Sequence, residues 1–168
     1  MIETTIEGLS LRLATANDVP QIRKFIQDLA EYEKLSDQVV ATDEKLHSTL
    51  FGPQPFAQVV MADFQGQPAG FALFFHNYST FLAKPGIYLE DLYVDQQWRG
   101  KGIGKALITF LAKLAVERDC GRLEWSVLDW NQPAIDFYQS LGAVMLEDWR
   151  INRVTGKTLI QMAEMFPG

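Results

Sequence analysis

Arg99, Lys101 and Lys105 are interleaved with Gly100, Gly102 and Gly104 in one short stretch, Arg-Gly-Lys-Gly-Ile-Gly-Lys. An apolar run, Ile87 to Val94, precedes it, and apolar residues at Ile103, Leu107, Phe110, Leu111 and Leu114 follow at spacings of three and four. That pattern predicts a strand, a glycine turn and an amphipathic helix reaching about Arg118. Glycines let a backbone approach a ligand closely. The first amide N–H groups of a helix have no partner within it, and the helix dipole favours negative charge there. With three cations nearby, a phosphate-bearing ligand is the expected occupant.

The spacing narrows the choice of phosphate. A P-loop needs a glycine five residues before its Gly-Lys and then Ser or Thr. Here those positions hold Arg99 and Ala106. A dinucleotide turn needs a third glycine where Lys105 stands. Arg99, Gly102 and Gly104 instead match Arg-x-x-Gly-x-Gly, the pyrophosphate-binding motif of the GNAT acetyltransferase superfamily, which the chain resembles. A second constellation, Trp130-Asn131-Gln132-Pro133-Ala134-Ile135-Asp136-Phe137-Tyr138 followed by Leu141-Gly142-Ala143, strengthens the likeness. Asn131 suits a helix N-cap and Gly142 the left-handed position after a helix. Ala134, Phe137, Tyr138 and Leu141 share one helical face.

Three further segments make the chain similar to the spermidine/spermine (diamine) and thialysine acetyltransferase branch. They are Leu29-Ala30-Glu31-Tyr32-Glu33-Lys34, Glu90-Asp91-Leu92-Tyr93-Val94 and the Trp130-Asn131 pair. The resemblance implies acetyl-CoA as co-substrate. It implies direct transfer of the acetyl group to a primary amine of a small cationic molecule: a polyamine, another diamine or a lysine analogue such as thialysine. Cofactor contacts are implied for Leu92, Tyr93 and Val94, for Arg99, Gly100, Lys101, Gly102, Ile103, Gly104 and Lys105, and for Asn131, Ala134 and Tyr138. Tyr32, Glu33 and Glu90 are implied to face the amine, with Asp91 beside them and Glu147 or Asp148 as a further carboxylate. A homodimer is implied too, with Trp149, Ile151 and Val154 as candidate interface residues. A protein or peptide amine as acceptor, and a non-catalytic acetyl-CoA-binding domain, are the alternative readings.

The chemistry assigns roles. An alkyl ammonium titrates near 10 and must lose its proton before attacking a thioester. Glu90, an acid in an otherwise apolar strand, is the expected proton acceptor, directly or through water. Strict alternation would turn Asp91 to the opposite face of the strand. Tyr138 is the expected proton donor to the leaving thiolate, and the resemblance implies a backbone N–H of the Leu92–Val94 region for the oxyanion. Tyr138 and Asn131 have plainer readings as a packing ring and a cap.

The rest of the chain must position these groups. Its 168 residues suit one domain, residues 1–168, and 48% of them are hydrophobic, enough for a substantial core. A net charge of −6 argues against nucleic acid as partner and suits a cationic substrate. The lone Cys120 permits no internal disulfide, and no signal peptide or apolar run of about 20 residues is visible, so a cytoplasmic location and no membrane span are expected. His47 and His76 lack metal-ligand spacing, and no metal is expected. Strands are expected at 9–13, 57–64, 69–75, 87–94 and 122–128, and helices after Asp18, Thr42, Gly102 and Asn131. Two closing strands are expected at 149–154 and 158–165. The order predicts an α/β GNAT fold, a central mixed twisted sheet of about six or seven strands flanked by about four helices.

Overall fold

A computed structural model describes residues 1–168, which divide into two compact units, Met1–Leu128 and Asp129–Gly168. The first unit holds a six-stranded sheet in the order β1 (Ile2–Glu3), β2 (Leu9–Leu13), β3 (Gln58–Phe64), β4 (Gln67–Ser79), β5 (Lys84–Val94) and β6 (Leu123–Trp125). Neighbours pair antiparallel except β5 and β6, which pair parallel. A parallel pair needs a crossover connection, and α3 (Ile103–Glu117) supplies it. The expected hairpin is β3–β4, turned at Gln65 and Gly66, both with positive φ. Two positive φ values in a two-residue loop match the right-handed twist of the flanking strands.

Pairing register assigns the faces. Met61, Phe71 and Tyr93 lie opposite one another across β3, β4 and β5, so they share a face. They join a core with Val19, Ile22 and Phe25 of α1 (Val19–Tyr32) and Leu46 and Leu50 of α2 (Asp43–Phe51). The other face presents Ala72, Phe74, Ile87 and Leu89, all buried, on the side where Arg118 at the end of α3 covers the Phe74 ring. Ile103, Leu107, Ile108, Leu111 and Ala115 are the buried stripe of α3. The starts of α1 and α2 follow from their sequences. Thr42 Oγ1 accepts from the Lys45 amide at 3.2 Å. Asp18 stands at the N-cap of α1, with Pro20 in the first turn. Its carboxylate is taken up by Arg12 and the Thr15 amide instead of the helix.

In the second unit, α4 (Gln132–Ser140) starts at Asn131, whose side chain accepts from the Ala134 amide. Gly142, at φ +93°, closes it: the Gly142 amide bonds to Gln139 O and the Ala143 amide to Tyr138 O. The two closing strands are not formed. Residues 149–154 are irregular, and α5 (Gly156–Ala163) occupies most of the second segment. The composition explains the helix. Leu159, Gln161, Met162, Ala163 and Glu164 are strong helix formers. Leu159, Ile160, Met162, Ala163 and Phe166 recur at helical spacing, whereas alternation from Leu159 fails at Ile160, Gln161 and Met162. No helix is long and apolar enough to cross a membrane.

Candidate active site

The β4–β5 ladder contains an irregularity that sequence alternation does not reveal. Leu73 pairs with Asp91 and Phe74 with Leu89, so Glu90 is an extra residue with no opposite number. It is a β-bulge, which re-aims the side chains around it. Without it, Leu89 and Asp91 would share a face. With it, Leu89 goes with Phe74 toward the α3 side, while Asp91 goes with Leu73 toward the α1 side. The expectation that Glu90 and Asp91 point apart by alternation therefore does not apply.

Asp91 enters an acidic environment. Its carboxyl is pushed up to about 6, first by burial and then by the charges of Glu90 and Glu33. Glu33 is raised as well, by burial. Glu33 sits at the C-terminal cap of α1, directly after Tyr32, the last helical residue. Tyr32, Glu33, Glu90 and Asp91, predicted from sequence for the amine side, thus gather where the end of α1 meets β5. A cleft of about 390 Å³, lined by Lys24, Asp28, Glu31, Tyr32, Tyr93, Asp95 and Gln96, shares Tyr32 with this group but none of its three carboxylates. Sequence reasoning did not pick Asp28, Glu31 or Asp95. The signal for the first two was the run of acids along the last two turns of α1.

The glycine turn is placed as predicted. Gly102 is the N-cap of α3 at φ +80°, a left-handed conformation that explains why glycine stands there. No side chain caps this helix end, and the bond from the Ala106 amide to Gly102 O begins the helical ladder. The amides of Ile103, Gly104 and Lys105 belong to the unpaired first turn. Gly104 has another explanation. A Cβ there would meet only Val94 Cγ2, at an ordinary 3.6 Å, and its φ is not positive. Glycine inside a helix costs about 1 kcal/mol relative to alanine. Neither backbone nor packing calls for it, which fits the close approach of a ligand. The residues present fit a pyrophosphate: free first-turn amides, bare Gly104, and the cations Lys101 and Lys105. Lys101 lies over the Phe64 ring at 5.6 Å. Leu92 and Val94 flank the buried Tyr93 on β5. Asn131, Ala134 and Tyr138 lie on the second unit, with Tyr138 packed beside Phe137 at 5.4 Å between ring centroids.

Residues 22–143 match the acetyltransferase (GNAT) family. This chain belongs to that family. It is an N-acetyltransferase, and enzymes of the GNAT family use acetyl-CoA as co-substrate. The chain is 38% identical over 164 residues to thialysine N-epsilon-acetyltransferase of Bos taurus, covering 91% of this chain and 96% of that protein. It is 37% identical over 194 residues to L-ornithine N5-acetyltransferase NATA1 of Arabidopsis thaliana, covering 89% and 85%. Among solved structures, an integron cassette protein from the mobile metagenome of V. cholerae superposes with a TM-score of 0.80 at 25% identity, covering 94% of this chain and 98% of that one.

Proposed function

We propose that this GNAT enzyme acetylates the terminal primary amine of a small cationic molecule, a diamine or a diamino acid, with Asp91 as proton acceptor. The observation that carries the reading is the acidic corner at the bulge: Asp91 half-buried and pushed up to about 6, flanked by Glu90 and Glu33. The names of the bovine and Arabidopsis relatives, which specify Nε of thialysine and N5 of ornithine, support a side-chain amine.

Bound acetyl-CoA would supply the activated acetyl group, and the Ile103–Lys105 amides with Lys101 and Lys105 would hold its pyrophosphate. The protein's remaining task is to manage a proton. An alkyl ammonium near 10 gives up its proton poorly to a carboxylate at 3.8. Raising Asp91 by about two units closes that gap by roughly 3 kcal/mol. Glu90 and Glu33 both hold Asp91 high and attract the incoming cation, and attraction is stronger in a half-desolvated corner than in open water. Glu90 as acceptor is the second reading, favoured by its exposed place on the bulge. The two are told apart by which substitution removes the acid limb of the rate profile. Tyr138, on α4, is the proposed donor to the departing thiolate.

A steady-state screen of diamines, polyamines, ornithine, thialysine and peptide amines, followed by thiol release, tests the proposal. Turnover confined to peptide amines, or absent throughout, would overturn it. Glu33→Gln is expected to raise the KM of the amine about tenfold, leave that of acetyl-CoA within twofold, and move the acid limb to lower pH. The charge removed is one that attracts the amine and raises Asp91; a mid-range estimate for one nearby charge is about 1.4 kcal/mol. Tyr138→Phe keeps the ring and loses only the hydroxyl. It should lower kcat about tenfold with acetyl-CoA affinity unchanged, because a thiolate is a fair leaving group and needs only modest help. Unchanged kcat with chemistry rate-limiting would remove Tyr138 from the reaction.

The proposal extends to assembly. Trp149 is 80% and Ile151 74% exposed in the single chain, as a homodimer interface near Val154 would require. Sedimentation equilibrium at micromolar concentration should give a dimer, and Trp149→Glu a monomer. A monomeric wild type would refute this part.

A further inference from the structure

Arg99 opens the pyrophosphate turn in the sequence pattern, yet its side chain runs to the other side of the site. Its Nε donates to Val94 O at 3.1 Å. Its guanidinium carbon lies 5.0 Å from the centre of the Tyr32 ring and 5.9 Å from that of Tyr93. The two rings differ in kind. Tyr93 is 7% exposed and fixed in the core, with the Phe25 ring 5.6 Å away. Tyr32 is 37% exposed and ends α1. Arg99 therefore bridges a rigid strand residue and a helix terminus.

That terminus is under tension. Lys34 has φ +61°, a left-handed conformation that costs a residue other than glycine about 1 kcal/mol. The Lys34 amide bonds to Glu31 O at 3.1 Å and the Leu35 amide to Ala30 O at 2.8 Å, so the chain turns sharply immediately after Glu33. Glu33, in turn, is one of the two carboxylates whose charge acts on Asp91; Glu90 is the other.

We infer that Arg99 is a positioning residue for the amine side of the reaction: placed over the Tyr32 ring and tied to Val94 O, it holds the Tyr32–Glu33 end of α1 against the strand that carries Asp91. Only a flat, permanently charged guanidinium can cover an aromatic face while its Nε–H bonds in its own plane, so lysine is not equivalent here. The cofactor turn and the amine corner then share one residue. This inference rests on the reading of Asp91 as proton acceptor.

A double-mutant cycle on the amine KM tests it, with Arg99→Lys, Tyr32→Leu and the double variant, using the best amine of the screen. Loss of a cation–π contact between two exposed side chains corresponds to a rise of about 2- to 5-fold in each single variant. The double variant should be no worse than the weaker single, since both remove the same contact. Tyr32→Leu should leave the calorimetric affinity for acetyl-CoA unchanged, and both singles should move the acid limb of kcat/KM downward as the charge of Glu33 moves away from Asp91. Multiplicative effects in the double variant would overturn the inference, as would a change confined to acetyl-CoA affinity. If Asp91→Asn leaves the acid limb in place while the cycle stays non-additive, the role of Arg99 stands and the reading of Asp91 falls.

Discussion

Asp91→Asn is expected to lower kcat by about 10²- to 10⁴-fold, the usual worth of a general base, while making the folded protein more stable at neutral pH. The two effects share a cause. Asp91 titrates at about 6 in the folded chain, above the ordinary 3.8, because burial and the charges of Glu90 and Glu33 oppose its ionisation. The folded state therefore keeps a proton that the unfolded state has already released. Stability contributed by the protonated form is fully present below about pH 4 and is lost as pH rises to about 6. Above that, ionised Asp91 is a standing cost of roughly 3 kcal/mol, from about two units at 1.36 kcal/mol each. Asparagine has nearly the same shape and no charge, so it removes that cost, less whatever its half-buried amide loses in hydrogen bonding. Urea unfolding of both proteins between pH 4 and 8 checks this. The curves should converge at low pH, and the variant should lead by 1–3 kcal/mol above pH 6. Parallel curves would show that ionised Asp91 carries no cost, and an undiminished kcat that it is not the base.

Gly104→Asp should weaken acetyl-CoA binding by at least about 100-fold and leave the fold intact. The side chain has room, since its Cβ would meet only Val94 Cγ2 at 3.6 Å. A carboxylate in the first turn of α3 also complements the helix dipole by about 0.3–1 kcal/mol, and replacing a helical glycine removes part of its entropic cost. Thermal stability should hold or rise. Binding should suffer because the new charge occupies the place of a phosphate and competes for the same amides. Losing two charge-assisted hydrogen bonds costs about 3 kcal/mol or more, a factor above 100. Calorimetric titration with acetyl-CoA, beside a melting curve, is the measurement. Unchanged affinity in the folded variant would mean that the pyrophosphate lies elsewhere.

The contrast between these residues shows where the sequence was legible. The turn at Gly102 could be read because everything that makes a glycine turn before a helix is local: turn glycines and the apolar stripe of α3 follow one another along the chain. The same holds for Thr42 and Asn131, which cap the helices they precede by accepting from the amide three residues ahead. The closing strands failed for a related reason. The helical propensity of residues 156–163, itself a local property, decided that segment.

Glu90 and Asp91 mark the limit. Their acidity is plain in the sequence, and so is their place on a central strand. Which way each points is set by pairing with β4, where one extra residue at Glu90 switches the face of everything beyond it. Strict alternation along β5 has no access to that register. Arg99 is similar: its motif position is read from its neighbours in the chain, but its stacking partner Tyr32 comes from a helix more than sixty residues earlier. The sequence alone determined the family, the glycine turn before α3 and the set of acidic candidates, because these rest on residue types at short spacing. Only the tertiary structure decided which carboxylate is half-buried, which charges act on it, and which rings Arg99 lies over, because desolvation and the meeting of β4, β5 and the end of α1 are properties of packing between distant segments.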